Sequence, residues 1–396
     1  MNLSCNCRHL QKLKEARVSI DEPTAVYLDY NAACPPDPAV LAHYQNTAMK
    51  IWAHPDSPHL AGQKVLDHME ELKKRWKSLS SMEDGSIQFC RGSTDALSLL
   101  LRNIRIPPKA VITGCCEHNT VIEQSKAYCK KQKIPFIQIP VNRKGCIDPD
   151  KLRSDLKENP ESLFIYSPVN HETGALQDCA LLWDICVENE TRVFLDAPQA
   201  MARLESDHWM PYAHGYSLSG QKIYGLKGTG VCVLKPELEL CDDKTGNTGT
   251  PDIPAASALT RAVELYRKDL PELQNYWEIL CTEGIQILSA ADFELIVLSP
   301  EKNAPGILCI SVPDLLKCSK TMEDLFYHLN REGIFLSRFS ACTGSVNGNS
   351  RILEQMGFNS ELSGSSLRIS LGRKSKRDDF FRLRKALTTF FAINSL

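Results

Sequence analysis

The stretch Tyr216-Ser217-Leu218-Ser219-Gly220-Gln221-Lys222-Ile223-Tyr224-Gly225 places one lysine between small residues and a glycine-rich turn. The apolar run Val231-Cys232-Val233-Leu234 that follows this turn predicts a buried strand. Because Lys222 lies where the chain returns to the core, burial should favour its neutral amine, which can form a Schiff base with a carbonyl group. A lone lysine in a turn is more often an ordinary surface residue, so the residues upstream decide between these interpretations.

The composition indicates a soluble globular protein with room for two or three domains. The chain has 396 residues, of which 43% are hydrophobic and 24% charged, and its formal net charge is -2. This charge gives no reason to expect nucleic acid or a membrane surface as a partner, and no apolar run is long enough to span a bilayer. Residues 1–22 lack the apolar segment of a secretory signal and contain acidic residues, which favours a cytoplasmic location.

Sixteen cysteines are scattered along the chain without the spacing of zinc knuckles. Without a secretion signal they are expected to be reduced thiols rather than disulfides. Cys5, Cys7 and His9 lack a fourth ligand nearby, so no metal site is predicted. The adjacent Cys115 and Cys116 are interpreted as packed small residues rather than as a redox pair.

Strand-like and helix-like segments alternate from about residue 86 to residue 235. The helix-like segments include 119–132 and 176–188. Such alternation predicts an α/β fold with a mostly parallel sheet and helices on both faces, and ligands bind such sheets beyond the carboxyl ends of the strands. The strand-like runs are 86–90, 110–113, 135–139, 163–166 and 192–195.

Polar groups follow the first two of these runs. Ser93 and Thr94 stand in a Gly-Ser-Thr turn at the start of a predicted helix, where N–H groups and hydroxyls can hold an anion. A plain helix cap is equally compatible with that turn. His118 follows the run 110–113 and could stack on an aromatic ring, whereas a lone histidine is more often structural.

Two more polar groups follow the later runs. The stretch 167–174 is denser in polar residues than a simple connecting loop. Asp196 closes the run 192–195, and a carboxylate there is costly to bury unless it meets a cation such as a protonated pyridine nitrogen. A helix cap or a structural ion pair is the alternative for Asp196. Together with Lys222, the four groups suit the phosphate, ring and aldehyde of pyridoxal 5'-phosphate (PLP).

These residues stand in motifs that resemble the cysteine desulfurases of the PLP-dependent class V aminotransferase family, over about Tyr27 to Arg373. The resemblance implies the type I fold of PLP-dependent transferases, in which a large α/β domain is joined by a smaller α+β domain. The motifs are Tyr27-Leu28-Asp29-Tyr30-Asn31-Ala32, Glu117-His118, Asn170-His171-Glu172-Thr173-Gly174, Asp196-Ala197-Pro198-Gln199, Ser219-Gly220-Gln221-Lys222-Ile223-Tyr224-Gly225, Ser340-Ala341-Cys342-Thr343 and Leu367-Arg368-Ile369-Ser370-Leu371-Gly372-Arg373.

The resemblance implies a role for each matching residue. Lys222 is implied as the Schiff-base lysine and Asp196 as the partner of the pyridine nitrogen. Gln199 is implied as a hydrogen-bond donor to the phenolic oxygen, and His118 as the ring stacker with a part in catalysis. The full set of implied cofactor contacts is Ser93, Thr94, His118, His171, Asp196, Gln199, Ser219, Gln221, Lys222 and Thr250.

Substrate and partner contacts are implied in the same way. Arg368 matches the arginine that holds the substrate carboxylate, a task suited to a planar bidentate donor, and Asn170 is implied as a second substrate contact. Thr250 resembles a threonine that reaches the phosphate from the partner subunit, which implies a homodimer. Cys342 resembles the catalytic cysteine that becomes a persulfide, in a long polar loop like that of enzymes that hand sulfur to a scaffold or carrier protein.

Several positions depart from the family pattern. His171 stands in place of an asparagine, and Gln221 in place of a histidine. Asn247-Thr248 replaces an Arg-Ser pair, and Ala33-Cys34 replaces two threonines. These changes affect positions implied to bind the phosphate and to tune the electronic properties of the cofactor. The residues implied for the core chemistry are all present, so a divergent enzyme is expected.

Three functional hypotheses follow. The first is a PLP-dependent cysteine desulfurase that converts L-cysteine to L-alanine and leaves a persulfide on Cys342, for iron-sulfur cluster assembly or tRNA thiolation. The second is a selenocysteine or cystine lyase, or another class V enzyme, which needs Lys222, Asp196 and Arg368 but not necessarily a loop thiol. The third is a non-catalytic paralogue that regulates a desulfurase, for which His171 and Gln221 are the best support.

The domain boundaries follow from the same pattern. Residues 37–256 are expected to form a large PLP-binding domain, and residues 1–36 with 257–396 a small domain that carries the catalytic-cysteine loop. Within the small domain, the apolar run 306–312 predicts a strand. The segments 322–330 and 378–391 predict helices.

Overall fold

The structure is a computed structural model that describes residues 24–80, 82, 84–241, 251–318, 320–338 and 348–392. The chain divides into two units. The larger unit comprises residues 33–170 and 176–271, and the smaller unit comprises the described residues before 33, residues 171–175 and the described residues after 271. These limits differ from the expected boundaries at 37 and 256, and that domain assignment stays a prediction.

Twelve β-strands and thirteen α-helices lie within the described residues. The strands are β1 (Val26–Tyr27), β2 (Ser86–Cys90), β3 (Val111–Gly114), β4 (Phe136–Ile139), β5 (Leu163–Tyr166), β6 (Arg192–Asp196), β7 (Gly215–Ser219), β8 (Gly230–Leu234), β9 (Ile296–Val297), β10 (Ile307–Ser311), β11 (Ile334–Phe335) and β12 (Ser366–Ser370). The helices are Pro38–Lys50, Leu60–Ser80, Ser93–Asn103, Asn119–Gln132, Pro149–Glu158, Cys179–Glu188, Pro198–Arg203, Ile253–Ser289, Asp314–Lys317, Met322–Arg331, Arg351–Gln355, Ser360–Gly364 and Arg377–Ala392.

The larger unit contains a seven-stranded sheet in the order β2-β8-β7-β6-β5-β3-β4. The strands β4, β3, β5, β6 and β7 run parallel to one another, whereas β8 is antiparallel to both β7 and β2. Every residue of β5 and β8 is buried. Since alternate side chains of a strand point to opposite faces, both faces of the sheet are covered there. The predicted α/β fold with a mostly parallel sheet is therefore confirmed.

The apolar runs of the sequence form the strands of this sheet. The five predicted runs correspond to β2, β3, β4, β5 and β6, and each strand end lies within one residue of its predicted position. The helix expected over 119–132 is observed with those bounds, but the start expected at Leu176 is wrong. Leu176 instead bridges to Val169, and the Asp178 carboxylate accepts a hydrogen bond from the Leu181 N–H and starts the helix at Cys179.

The smaller unit contains a three-stranded antiparallel sheet in the order β12-β10-β9 and a parallel pair formed by β1 and β11. All residues of β10 and β12 are buried. The predicted strand 306–312 is observed as β10, one residue shorter at each end. The helix Met322–Arg331 begins with a capping box between Thr321 and Asp324, and its bounds match the prediction within one residue. These elements confirm the α+β character expected of this part.

One helix, Ile253–Ser289, runs for 37 residues and contains Pro271, after which the division between the units falls. A proline inside a helix lacks the N–H that would bond to the carbonyl four residues earlier, here that of Arg267. Within the described part of the chain, no helix combines the length and the apolar character needed to cross a membrane.

The first strand residue of β8, Gly230, packs directly on the backbone of Gly92, which precedes the helix Ser93–Asn103. A methyl group on Gly230 would overlap the Gly92 Cα and lie 2.6 Å from the Gly92 nitrogen. Gly230→Ala should therefore destabilise the protein by about 2 kcal/mol, the usual cost of overpacking, as measured by urea denaturation.

Gly364→Ala is the matched control for this prediction. Its added methyl would meet only a side-chain oxygen, that of Asn349, at 3.1 Å. We expect Gly364→Ala to unfold close to the wild-type urea midpoint. Equal urea midpoints for Gly230→Ala and the wild type would contradict this prediction, because they would show that the backbone at Gly92 can move to make room for the methyl group.

Candidate active site

Lys222 stands at the end of the tight turn Gly220–Lys222, which follows β7 directly. A side chain at Gly220 would overlap the Thr229 hydroxyl, so only glycine fits there. The Gly225 N–H donates to the Gly220 carbonyl at 2.8 Å and closes the loop. Lys222 is half-buried, whereas its position beside a buried strand suggested a buried lysine.

Cys34, which lies far upstream in the sequence, forms hydrogen bonds with the backbone of this turn. The Cys34 N–H donates to the Gln221 carbonyl at 2.7 Å, and the Cys34 thiol donates to the Lys222 carbonyl at 3.4 Å. Cys34 is buried. Sequence reasoning noted Cys34 as a departure from the family pattern but assigned it no contact, and its contacts with the turn give it a structural role beside the lysine.

Asp196 ends β6 in register with Ser217 of β7, and the Ser217 hydroxyl donates to its Oδ1 at 3.1 Å. Desolvation raises the pKa of the Asp196 carboxyl, and the charges of His118 and Lys222 act in the opposite direction. Asp196 is half-buried, although desolvation is the strongest influence on its pKa. The side chain is therefore partly open, and it lies close enough to His118 and Lys222 for both to act on its pKa.

His118 is the N-cap of the helix Asn119–Gln132. Its Nδ1 accepts a hydrogen bond from the Thr120 N–H at 3.2 Å. Because Nδ1 is an acceptor in this bond, the neutral imidazole carries its proton on Nε2. The cap therefore fixes both the orientation of the ring and its tautomer.

A cradle for an anion forms where the helix Ser93–Asn103 begins. Gly92 has φ +139°, a conformation that favours glycine, and the helix has no side-chain cap of its own. The Ser93 N–H donates to the Ser219 Oγ at 2.9 Å, and that hydroxyl lies 3.2 Å from the Ser93 Oγ. The N–H groups of a first helical turn lack intrahelical acceptors, so this end, which includes Thr94, suits a phosphate.

Asn170 and Gln199 are both buried in the larger unit. The Asn170 Nδ2 donates to the Cys116 carbonyl at 3.1 Å, which anchors its side chain next to the segment that leads into His118. The helix Pro198–Arg203 starts directly after Asp196 and Ala197, and Gln199 is its second residue. Both positions agree with the polar lining expected beyond the strand ends.

Arg368 and His171 belong to the smaller unit, where the structure brings them together. The buried Arg368 guanidinium donates from Nη1 to the His171 carbonyl at 3.0 Å and from Nη2 to the Asp29 carboxylate at 2.7 Å. The His171 Nε2 lies 3.7 Å from Glu172, whose other oxygen accepts from the Ser350 hydroxyl at 2.6 Å. Sequence reasoning quoted Asp29 within a motif but missed its ion pair with Arg368.

Several predicted residues lie outside the described residues. They are Cys5, Cys7, His9, Asn247, Thr248, Thr250 and Cys342. The roles implied for Thr250 and Cys342 therefore stay predictions.

The description "Aminotransferase class-V" belongs to the family model that matches residues 26–240. The chain belongs to the class-V aminotransferase family. The match includes His118, Asp196 and Lys222, which the structure brings together at one edge of the sheet.

Relatives of this class-V aminotransferase cover most of the chain. Cysteine desulfurase IscS of Methanosarcina thermophila is 24% identical over 373 residues, which are 91% of each chain. The mitochondrial cysteine desulfurase of Saccharomyces cerevisiae is 26% identical over 379 residues, 92% of this chain and 74% of the relative.

Solved structures share its fold. A NifS-like protein superposes with a TM-score of 0.79 at 21% identity over 93% of this chain and 100% of its own. The apo cysteine desulfurase of Thermococcus onnurineus has a TM-score of 0.76 at 16% identity, over 93% and 95% of the two chains. At these identities the likeness confirms the fold expected from the sequence.

Class-V aminotransferases use PLP, and the residues of the larger unit fit that group. A protonated ring nitrogen needs a carboxylate, and Asp196 supplies one that desolvation would otherwise neutralise. A phosphate needs N–H and hydroxyl donors, and the helix start at Ser93 with the Ser219 hydroxyl supplies them. An aldehyde needs an amine, and Lys222 is the amine whose charge acts on Asp196.

The raised pKa of Asp196 leads to a pH-dependent stability. A folded-state pKa above the unfolded value means that ionisation of this carboxyl opposes folding. This cost is absent at low pH, where both states are protonated, and it grows as the pH rises above about 4. Cofactor-free Asp196→Asn should therefore be more stable to urea than the wild type at pH 7, with no difference at about pH 3. A variant that is less stable than the wild type at pH 7 would contradict this sign.

Proposed function

We propose that this protein is a PLP-dependent cysteine desulfurase that converts L-cysteine to L-alanine and passes the sulfur to an acceptor protein. The observation that carries the proposal is the half-buried Asp196 carboxylate at the end of β6, where His118 and Lys222 both act on its pKa. Relatives named cysteine desulfurase over about nine tenths of the chain support the choice of reaction.

The proposed cofactor is held by residues of the larger unit. Lys222 would bind its aldehyde carbon, Asp196 would serve its ring nitrogen, and the helix start at Ser93 and Thr94 with Ser219 would receive its phosphate. When bound, PLP supplies an electron sink for the carbon next to the substrate's amino group. The buried Gln199 side chain, three residues after Asp196, is proposed to meet the phenolic oxygen.

Three groups of the larger unit are proposed to hold or move protons. The neutral Lys222 amine takes the proton from the substrate α-carbon as general base. Asp196, whose ionised form is favoured by His118 and Lys222 against desolvation, would keep a proton on the ring nitrogen of the bound cofactor. His118, whose Nδ1 is engaged by the Thr120 N–H, offers only its Nε2 for proton exchange.

Arg368 is proposed to bind the substrate carboxylate, because a guanidinium is planar and can donate two parallel hydrogen bonds. The Cys342 thiolate is proposed to attack the substrate sulfur. The carbon–sulfur bond of cysteine breaks as a sulfur–sulfur bond forms, so that alanine leaves and Cys342 carries a persulfide. Transfer of that outer sulfur to a scaffold or carrier protein, for iron-sulfur cluster assembly or tRNA thiolation, completes the proposal.

The reaction is tested by incubating the PLP-loaded protein with L-cysteine and measuring L-alanine. Lys222→Ala should lower alanine formation by about a thousandfold, as expected for loss of a general base. Cys342→Ala should lose persulfide formation, which mass spectrometry detects as one added sulfur on the peptide that contains Cys342. Cys241→Ala removes an exposed cysteine and should behave as the wild type. Undiminished alanine formation by Cys342→Ala would remove the persulfide step from the mechanism.

We also propose that the protein works as a homodimer in the cytoplasm. Three large apolar side chains lie exposed around two consecutive helices of the larger unit: Met49 is 79%, Trp52 76% and Leu60 90% exposed. Single exposed apolar residues are common, but several in one segment are typical of an interaction surface. A second copy of this chain would cover them and would bring Thr250 to the partner's phosphate site.

Trp52→Glu should convert the proposed dimer to a monomer, because it puts a charge into an apolar interface. Sedimentation velocity measures the change. Ile279→Glu is the matched control, since Ile279 is 61% exposed but lies in the smaller unit, and this variant should stay dimeric. Identical sedimentation of Trp52→Glu and the wild type would argue against this surface.

A further inference from the structure

The Arg368 guanidinium is enclosed in the smaller unit and paired with a carboxylate of the same unit. The Arg368 side chain is 3% exposed, whereas that of its partner Asp29 is 18% exposed. The distance between Nη2 and the Asp29 Oδ1 is 2.7 Å. Since a buried arginine without a counter-ion is strongly unfavourable, Asp29 is the group that lets this cation stay in the core.

The pairing uses a nitrogen that takes part in both bidentate modes of an arginine side chain. A guanidinium offers two forks to a carboxylate, one made by Nε with Nη2 and one by Nη1 with Nη2. In Arg368, Nη1 donates to the His171 carbonyl, and Nε is buried with no hydrogen-bond partner among the described residues. Nη2 has two N–H groups, one in each fork, and Asp29 takes one of them. A carboxylate in the fork that Asp29 uses would displace it, and a carboxylate in the other fork would bind beside its negative charge. Asp29 therefore opposes a bound carboxylate in either fork.

The Asp29 side chain can rotate away from Arg368. Its backbone is fixed by a bridge to Ser370, but its carboxylate has one further side-chain tether, from the Ser337 hydroxyl to Oδ2 at 2.7 Å. Because Asp29 is more exposed than Arg368, turning towards water costs this carboxylate less than moving would cost the guanidinium.

We propose that Asp29 is a built-in competitor for the substrate carboxylate. It neutralises Arg368 when no amino acid is bound and releases Nη2 when one binds. This inference rests on the proposed function, in which Arg368 holds the carboxylate of the substrate. Asp29 thereby sets how tightly amino acids bind and favours ligands whose carboxylate can displace its own.

Asp29→Asn tests this inference because it removes the charge but keeps the size of the side chain and an oxygen acceptor for Nη2. Binding of L-alanine, the product, to the PLP-loaded protein is measured by isothermal titration calorimetry. The dissociation constant should fall about tenfold, which corresponds to about 1.4 kcal/mol. L-Alaninamide lacks the carboxylate and should bind the variant and the wild type equally.

Asp150→Asn is the matched control, since it makes the same change of net charge at an exposed carboxylate and should leave both dissociation constants unchanged. Ser337→Ala provides a second variant should Asp29→Asn fold poorly. Loss of the tether to Oδ2 should lower the dissociation constant for L-alanine about threefold, less than loss of the charge.

Unchanged or weaker L-alanine binding by Asp29→Asn would overturn the inference, provided that the wild type binds L-alanine and forms it from cysteine. An equal gain for L-alaninamide would also overturn it, because the effect would then not act through the carboxylate. A wild-type protein that neither binds L-alanine nor forms it would instead overturn the proposed function, and this inference with it.

Discussion

The chemistry of the larger unit depends on one carboxylate at the end of a parallel strand. Burial disfavours the charge of Asp196 and raises its pKa, and His118 and Lys222 act in the opposite direction without cancelling that rise. The pairing of β6 with β7 sets this arrangement, because Asp196 stands opposite Ser217 and the turn that carries Lys222 follows directly after β7. Strand register, rather than loop conformation, therefore determines which charges meet.

The strands of the large sheet were predictable because strands buried on both faces read as continuous apolar runs. β5 is such a run, and its observed bounds are those expected from the sequence. The start of the helix Cys179–Glu188 was not predictable in this way, because the apolar Leu176 fits the helical pattern but pairs with Val169. There the side chain of Asp178 decided the boundary, and a periodicity argument gives such caps little weight.

The electrostatic partners were harder to predict than the elements. A charged residue inside the apolar motif Leu367-Arg368-Ile369 signals that a counter-ion is required, but it does not say which one. Asp29 lies 339 positions away, and Glu172 lies 178 positions from Ser350. Only the folded chain brings such pairs together. By contrast, the residues proposed to bind the cofactor follow strands of one sheet, and so the topology of a parallel sheet was enough to group them.

The contact between Gly92 and Gly230 limits how this protein can evolve. Two main chains touch there with no side chain between them, and the Gly230 nitrogen and carbonyl belong to the strand that borders the anion cradle. A larger residue at either position cannot be offset by a smaller one at the other, because glycine is already the smallest. No second substitution within this pair can therefore compensate for a larger residue. Any such change must shift the backbone of the anion cradle.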